Sequence, residues 1–599
     1  MTAPTSAGAP STEGGIPNTE LPASKTGTEA TVADSTRFAW RVLRADPVTW
    51  LIALGCWIAF FTLPLPAGLV LRSIIDRIPS EEASGLGLAV AAMAGLHIGR
   101  WLLLMPAIVQ WHGAYVFWNT LPRVNALTSL VGDPGPVTDR LPGSPGEAVS
   151  RFRDDAKDIA NVLDVWLDMV AALLASIAGL IVLYLIAPRA ALAMVVPIVI
   201  VLWIGHVLAQ RLRTWRLAER EATAAVTGFI GDTFGAIGTV KLAVAEQAVL
   251  ARFDSLGRSR AHMARRDQVG TQLSQTLGGI TANAGLGLTL FVVAPLMSQG
   301  DLTVGDVGLF TTYATLVGGL PLIAARWSAY QSQADISAAR LGRLTSDRSP
   351  DGASAAAPTW LRSGPPAFVP TRHPSPGERD HQTRLRHLKV RGLNVRLDGT
   401  EQLHGVDLDV RRGELVVVTG PVGSGKSVLL RSLLGLIPRE GGTIHWNDDL
   451  VDDPSTVLVP PRAAYVPQVP RLFSEPLADS ILLGVDPDAL DRALALARLD
   501  DDLSDMPDGL ATRVGPKGVR LSGGQVQRAA AARALVRRPE LLVIDDLSSA
   551  LDVETEAQLW DGLFEATHGN LAVLAVSHRP RVLERADQVL VLNSGQIVR

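Results

Sequence analysis

Gly420-Pro421-Val422-Gly423-Ser424-Gly425-Lys426-Ser427 decides the reading of this chain, because it fits the phosphate-binding loop pattern G-x-x-x-x-G-K-[ST] at every fixed position. The residues before it, 414–419, read as a buried strand, and 427–434 read as a helix leaving the loop. Glycines at such a strand-to-helix turn let successive backbone N–H groups face inward as an anion nest. The helix N-terminus adds its partial positive charge. Lys426 is expected to reach the terminal phosphates of a nucleotide, and the Ser427 hydroxyl to ligate Mg²⁺.

Outward from this loop the chain is long and apolar. At 599 residues, two or more domains are expected. A hydrophobic content of 47% and a mean hydropathy of +0.22 exceed those of an ordinary soluble protein and point to membrane spans. The net charge of −4 argues neither for nor against a polyanionic partner. The one cysteine, Cys56, lies in an apolar run, which leaves neither a disulfide framework nor a cysteine metal site.

Residues 1–35, rich in Ser, Thr, Gly, Pro and Ala, read as a disordered tail. A transmembrane domain is expected over 36–344. Its apolar runs, near 49–73, 86–109, 163–186, 190–210, 276–298 and 305–328, each approach the roughly 20 residues that cross a bilayer. Six spans put both ends of the domain on one side. The connection after the fourth span carries Arg211, Arg216, Lys241, Arg252, Arg258, Arg260, Arg265 and Arg266, and the N-terminal approach carries Arg37, Arg41 and Arg44. The positive-inside rule therefore places both termini in the cytoplasm of a multi-pass protein. The connections 110–162 and 211–275 are helix-like and would extend the spans. His97 and Arg100 lie inside the second span, where an ionisable group is a functional candidate by default; Arg100 could equally snorkel or face a water-filled cavity. Residues 345–385 read as a Pro/Ser-rich linker, and 386–599 as a second, α/β domain around the loop.

Downstream of the loop, Tyr465-Val466-Pro467-Gln468 follows a turn. Leu521-Ser522-Gly523-Gly524-Gln525 runs into an Ala- and Arg-rich helix that ends before Pro539, so the Ser522 hydroxyl and the glycine N–H groups make a second anion site at a helix start. An apolar strand over 541–544 ends in Asp545-Asp546 and is followed by Ser549-Ala550-Leu551-Asp552. A further strand over 571–576 ends at Ser577-His578.

In this order the set resembles the ATP-binding cassette family. With six preceding spans it is similar to an exporter-type half-transporter: an all-α six-helix membrane domain followed by an α/β nucleotide-binding domain. The resemblance implies ATP and Mg²⁺ as ligands, with 420–427 the Walker A loop, Gln468 the Q-loop residue near Mg²⁺, and Leu521–Gln525 the signature. It implies that Asp545 is the metal-side carboxylate, with Ser427 and Gln468 beside it, that 549–552 is the D-loop, and that His578 touches the γ-phosphate. Residues 146–151 and 238–241 resemble the family's coupling segments. Family cassettes pair head to tail, so Ser522, Gly523, Gly524 and Gln525 are expected to contact nucleotide held by a second subunit.

Two departures stand out. Residues 395–399 carry no aromatic side chain to stack on adenine, a contact worth roughly 1–3 kcal/mol in nucleic-acid sites. Asp546 stands where the family has a glutamate as general base, and its carboxylate is one methylene shorter. Binding is expected to survive and hydrolysis at this chain's own loop to be slow. An intact signature with a short base resembles one half of a heterodimeric bacterial exporter, whose partner subunit supplies the glutamate. A homodimer, a regulatory ATP-binding subunit and an importer of the same fold stay open. Few charges and few aromatics in the spans lean towards an amphipathic or lipophilic cargo. The spans exclude a soluble ATPase acting on nucleic acid.

Overall fold

The computed structural model describes residues 32–78, 85–132, 135–136, 149, 151–345, 349–360, 384–397, 399–515, 521–547, 553–568 and 571–598. The expected D-loop, 549–552, lies outside them, as does most of the coupling segment at 146–151.

Helix α1 (Val32–Ala45) begins inside the stretch expected to be tail. Phe38, Ala39, Val42 and Leu43 recur on one helical face and are buried, which explains why this piece folds while carrying arginines on its other side. Ser35 donates to Asp335, and Arg41 pairs with Asp351 at 2.7 Å. Asp351 falls at the start of the expected linker. There Pro350–Ala353 forms a helical turn, and Asn125 donates to the carbonyls of Ala353 and Ala355. The first part of 345–385 is thus packed against the membrane domain, because its small and acidic residues satisfy groups presented by α1 and α4. Residues 361–383 lie outside the described residues.

Six helical runs among the described residues are long and apolar enough to cross a membrane. They are built from α2 (Pro47–Thr62) with α3 (Pro64–Arg77), α4 (Leu86–Gly132), α5 (Ala156–Ile186, entered through a π-helical turn at Arg151–Asp155), α6 (Pro188–Gly235), α8 (Glu246–Ser298), and α9 (Val304–Gly318) with α10 (Leu320–Gly342). The first and last runs each change helix once, at Leu63-Pro64 and at Gly319, with both Leu63 and Gly319 keeping helical dihedrals. Proline lacks the N–H that would continue the ladder and crowds the carbonyl four residues back, so the run kinks at Pro64. Helices α4, α6 and α8 run on well past the spans, as their helix-like patterning leads one to expect. The exposed turn between α6 and α8 is α7 (Ile237–Leu242), which contains 238–241.

Small residues and polar pairs join the spans, as expected where lipid removes the hydrophobic driving force between helices. A Cβ on Gly318 would lie 2.3 Å from the Ala282 Cα, so only glycine lets α9 approach α8 this closely. Trp57 and Trp111 donate their indole N–H groups to Asp168 and Asp164 on α5, and Arg326 pairs with Asp168 at 3.5 Å.

The second domain holds two sheets. One is antiparallel, in the order β2 (Thr400–Arg411), β1 (His387–Leu397), β4 (Gly441–Trp446), β5 (Asp449–Leu450). The other has the order β10 (Gln596–Val598), β9 (Gln588–Asn593), β3 (Leu415–Thr419), β8 (Ala572–Val576), β7 (Leu541–Asp545), β6 (Ala463–Val466). Every pairing in the second sheet is parallel except β10 with β9. Strands β3, β7 and β8 are apolar except for Thr419 and Asp545 at the carboxyl ends of β3 and β7, and are buried at nearly every position, because both faces of a parallel sheet are covered.

Candidate functional site

The site is made by the register of three adjacent parallel strands. Val576 on β8 lies opposite Val418 on β3 and opposite Asp545 on β7. The carboxyl ends of β3, β7 and β8 therefore open at one level, where ligands bind in sheets of this kind. From β3 the chain turns into Gly420–Ser427 and then α11 (Lys426–Leu433). Gly420, Gly423 and Gly425 have φ of +143°, +84° and +99°, and a Cβ on Gly420 would sit 1.9 Å from the Leu592 carbonyl oxygen. The turn at Gly420 therefore requires glycine.

Inside the loop, the Lys426 ammonium donates to the carbonyls of Gly420 and Pro421 at 2.8 and 2.7 Å. Burial holds the Lys426 ammonium below the ordinary lysine value, opposed by the charges of Asp545 and Asp546. The Ser427 hydroxyl donates to Asp545 Oδ1 at 2.9 Å. Asp545 is 1% exposed, and its Oδ2 accepts from the Tyr465 hydroxyl at 3.2 Å. Arg431 donates through Nε to the same hydroxyl at 3.4 Å. Burial pushes the Tyr465 hydroxyl up, so it remains a donor near neutral pH.

Asp546, half-buried, has a φ of +51°, and its backbone N–H donates to the Val576 carbonyl at 3.2 Å. Its Oδ2 accepts from Gln468 Nε2 at 3.4 Å. His578 Nδ1 shares a hydrogen bond with Thr419 Oγ1 at 3.1 Å. The structure thus brings Ser427, Asp545, Asp546, Gln468 and His578 to one sheet edge with Pro421, Val422, Ser424 and the rest of the loop.

Ser522–Gln525 stands apart. It caps α12 (Gly523–Leu535) through a capping box, in which Ser522 Oγ accepts from the Gln525 N–H and Gln525 Oε1 accepts from the Ser522 N–H. Gln525 Nε2 also donates to Asp502, which Arg528 holds from the other side at 3.0 Å. Ser522 and Gly523 are exposed.

Reading residues alone missed three contributors. Tyr465 and Arg431 support Asp545, and Thr419 orients His578. For Thr419 the signal existed: it ends the strand entering the loop, but its neighbour could be named only once the strand order was known. For a divalent ion the donors fit. Ser427 and Asp545 offer hard oxygens side by side, and Mg²⁺ takes only one or two protein oxygens when phosphates and water supply the rest. Among the described residues no cluster of three or more His, Cys, Asp or Glu could hold an ion unaided.

Residues 124–320 match the family of the ABC transporter transmembrane region, and residues 403–549 match the ABC transporter family. The chain belongs to the ABC transporter family. An ATP-dependent lipid A-core flippase of Burkholderia thailandensis is 30% identical over 400 residues, which cover 66% of this chain and 63% of that one. The chain thus spans just under two thirds of that relative's length. A second ATP-dependent lipid A-core flippase, from Ralstonia nicotianae, is 37% identical over 207 residues, 34% of this chain and 35% of the relative. The solved structure of a bacterial Atm1-family ABC exporter with ATP bound superposes with a TM-score of 0.75. It covers 93% of this chain and 95% of the other at 21% identity. The fold is accordingly the exporter type of this family, six membrane helices followed by the α/β nucleotide-binding domain.

Proposed function

We propose that this chain is one half of a dimeric ATP-driven exporter in the cytoplasmic membrane, with both termini in the cytoplasm and an amphipathic or lipophilic cargo. The observation that carries this reading is the joining, in one chain, of six membrane-long helices to a sheet edge where Lys426, Ser427, Asp545, Gln468 and His578 converge. The lipid-handling names of the flippase relatives support the class of cargo.

In this reading the N–H groups of Gly420–Ser427 cradle the phosphates of ATP, and Lys426 leaves its two loop carbonyls for the terminal phosphates. Ser427 and Asp545, with Gln468 nearby, hold Mg²⁺, which when bound neutralises charge on the β- and γ-phosphates. Asp546 orients the attacking water, and His578 contacts the γ-phosphate. Ser522, Gly523, Gly524 and Gln525 face the nucleotide of the second subunit. Binding closes the cassette pair and hydrolysis resets it, biasing a two-state membrane element through helix extensions such as the α6–α8 turn.

Asp546 favours a division of labour. This chain's own site turns over slowly, and its signature completes a competent site on a different subunit that carries a glutamate. The experiment is to isolate the chain from its native membrane and identify the half-transporter that accompanies it. Movement of fluorescent lipids is then measured in proteoliposomes of the complex, with and without MgATP. Absence of MgATP binding, or movement that does not depend on MgATP, overturns the transport reading. A stoichiometric complex of this chain with itself overturns the heterodimer.

A further inference from the structure

Both kinked spans line one half-open cavity of about 430 Å³ in this half of the transporter. Leu63 and Pro64, at the kink between α2 and α3, line it. So does Gly319, at the kink between α9 and α10, and so do His97 and Arg100 of α4. These three elements reach it at one depth. Leu63 is fourteen residues from the Arg77 end of α3, Arg100 is fourteen from the Leu86 end of α4, and Gly319 is fifteen from the Val304 end of α9; at 1.5 Å per residue each lies about 21–23 Å along its helix. The ends of α3 and α9 from which these depths are counted are adjacent, since the Gly305 N–H donates to Asp76 at 2.9 Å, and the Arg77 side chain reaches Gly85 at the start of α4. Leu63 and Gly319 keep right-handed helical dihedrals, so the two spans kink at this pocket without unwinding.

The cavity carries one permanent charge. The Arg100 guanidinium lies 4.2 Å from the centre of the Phe60 ring, and its Nε is buried with no hydrogen-bond partner. No ion pair to Arg100 occurs among the described residues. A cation at this depth without a carboxylate is unfavourable until an anion joins it. Around it, the Thr312 and Thr315 hydroxyls donate to the carbonyls of Gly308 and Thr311 one turn back, which leaves Arg100 as the donor free for an anion, and Met93, Leu96 and Leu316 add apolar wall. His97, exposed, stands one turn from Arg100 at the mouth, its Nδ1 donating to the Met93 carbonyl and its Nε2 turned away from that bond.

We propose that this cavity binds the acidic group of a single-chain anionic amphiphile, a phosphate monoester or carboxylate, with Arg100 as its counter-ion. The volume suits one small headgroup and a few methylenes, in the lower part of the range for ligand pockets. The rest of the chain leaves past His97, where Ile98, Trp101 and Leu102 are exposed apolar surface. The proposal names the substrate class within the transport reading and rests on it, but binding at the cavity needs no nucleotide.

The test is saturation binding of tritiated dodecyl phosphate to the full-length chain in phosphatidylcholine nanodiscs without ATP. MgATP binding is measured separately on the same samples. Saturable binding is expected, displaced by unlabelled dodecyl phosphate but not by dodecyl maltoside or dodecyltrimethylammonium. Displacement by dodecanoate as well makes any compact acid sufficient; its failure restricts the site to phosphate. Arg100→Gln should weaken binding at least about tenfold while Arg100→Lys changes it far less, since a charged hydrogen bond is at stake. Thr315→Trp, which fills the cavity and leaves the charge, should abolish it. Equal competition by the neutral and anionic detergents, or wild-type affinity in Arg100→Gln or Thr315→Trp, overturns the proposal. Intact anion binding with no MgATP binding would instead remove the transport reading and leave this site standing.

Discussion

Asp546→Glu should accelerate ATP hydrolysis at this chain's own loop. The Asp546 backbone is fixed by its N–H bond to Val576 at 3.2 Å, so lengthening the side chain moves the carboxylate and little else. The added methylene advances the oxygens by about 1.5 Å, one C–C bond. A displacement near 1 Å in a catalytic geometry is worth on the order of a hundredfold, or about 2.7 kcal/mol. One effect opposes this. At φ +51° the residue is left-handed, a conformation in which aspartate is enriched and glutamate is not; the whole left-handed penalty is roughly 1–2 kcal/mol, and the difference between two acids is a fraction of it. Positioning wins, and the net gain should be about tenfold or more. The assay is Mg²⁺-ATPase turnover of the full chain in nanodiscs, wild type beside Asp546→Glu, with Lys426→Ala as the background of each. Equal turnover in the two proteins, with equal MgATP affinity, refutes the displaced-base argument and leaves Asp546 an adequate base.

Gly420→Ala should abolish MgATP binding, because the new methyl meets the Leu592 carbonyl oxygen at 1.9 Å. Gly423→Ala, which meets nothing within 4 Å, should be milder in folding, costing about 1–2 kcal/mol through its φ of +84°; thermal unfolding of the two proteins separates the effects. Tyr465→Phe removes one donor from the buried Asp545 and should weaken Mg²⁺-dependent ATP binding by about 1–3 kcal/mol, read from titrations at graded Mg²⁺. ATP affinity should also fall with rising pH in the alkaline range. Burial lowers the lysine value of Lys426 in the free loop, and phosphate beside it raises that value again, so binding takes up a proton between the two values. Calorimetry in buffers of different ionisation heat would detect the uptake, and a heat independent of buffer would contradict it.

The phosphate loop, the two strand ends and the signature were legible because each is a fixed spacing that local backbone physics demands: glycine where φ is positive, a hydroxyl at a helix start, apolar runs for strands covered on both faces. What assembles them was not. That Thr419 meets His578 follows from β8 lying between β3 and β7, an order set by packing across more than 150 residues of chain. Helix α1 was obscured by the Ser/Thr-rich stretch before it, although the spacing of Phe38, Ala39, Val42 and Leu43 was there to be read. In the membrane domain, the span expected over 49–73 ran straight through the kink at Pro64, and hydropathy exposed Arg100 as anomalous; neither reading could show that the two lie at one depth. That coincidence needs the adjacent helix ends at Asp76 and Gly305, and it turns two local irregularities and an unpaired charge into a cavity with a definable ligand. The loop and the cavity therefore differ in how they are specified. The loop is written in adjacent residues, whereas the cavity is written in distances counted along three helices, so a one-residue insertion within α3 between Leu63 and Arg77 should disturb dodecyl phosphate binding while sparing MgATP binding.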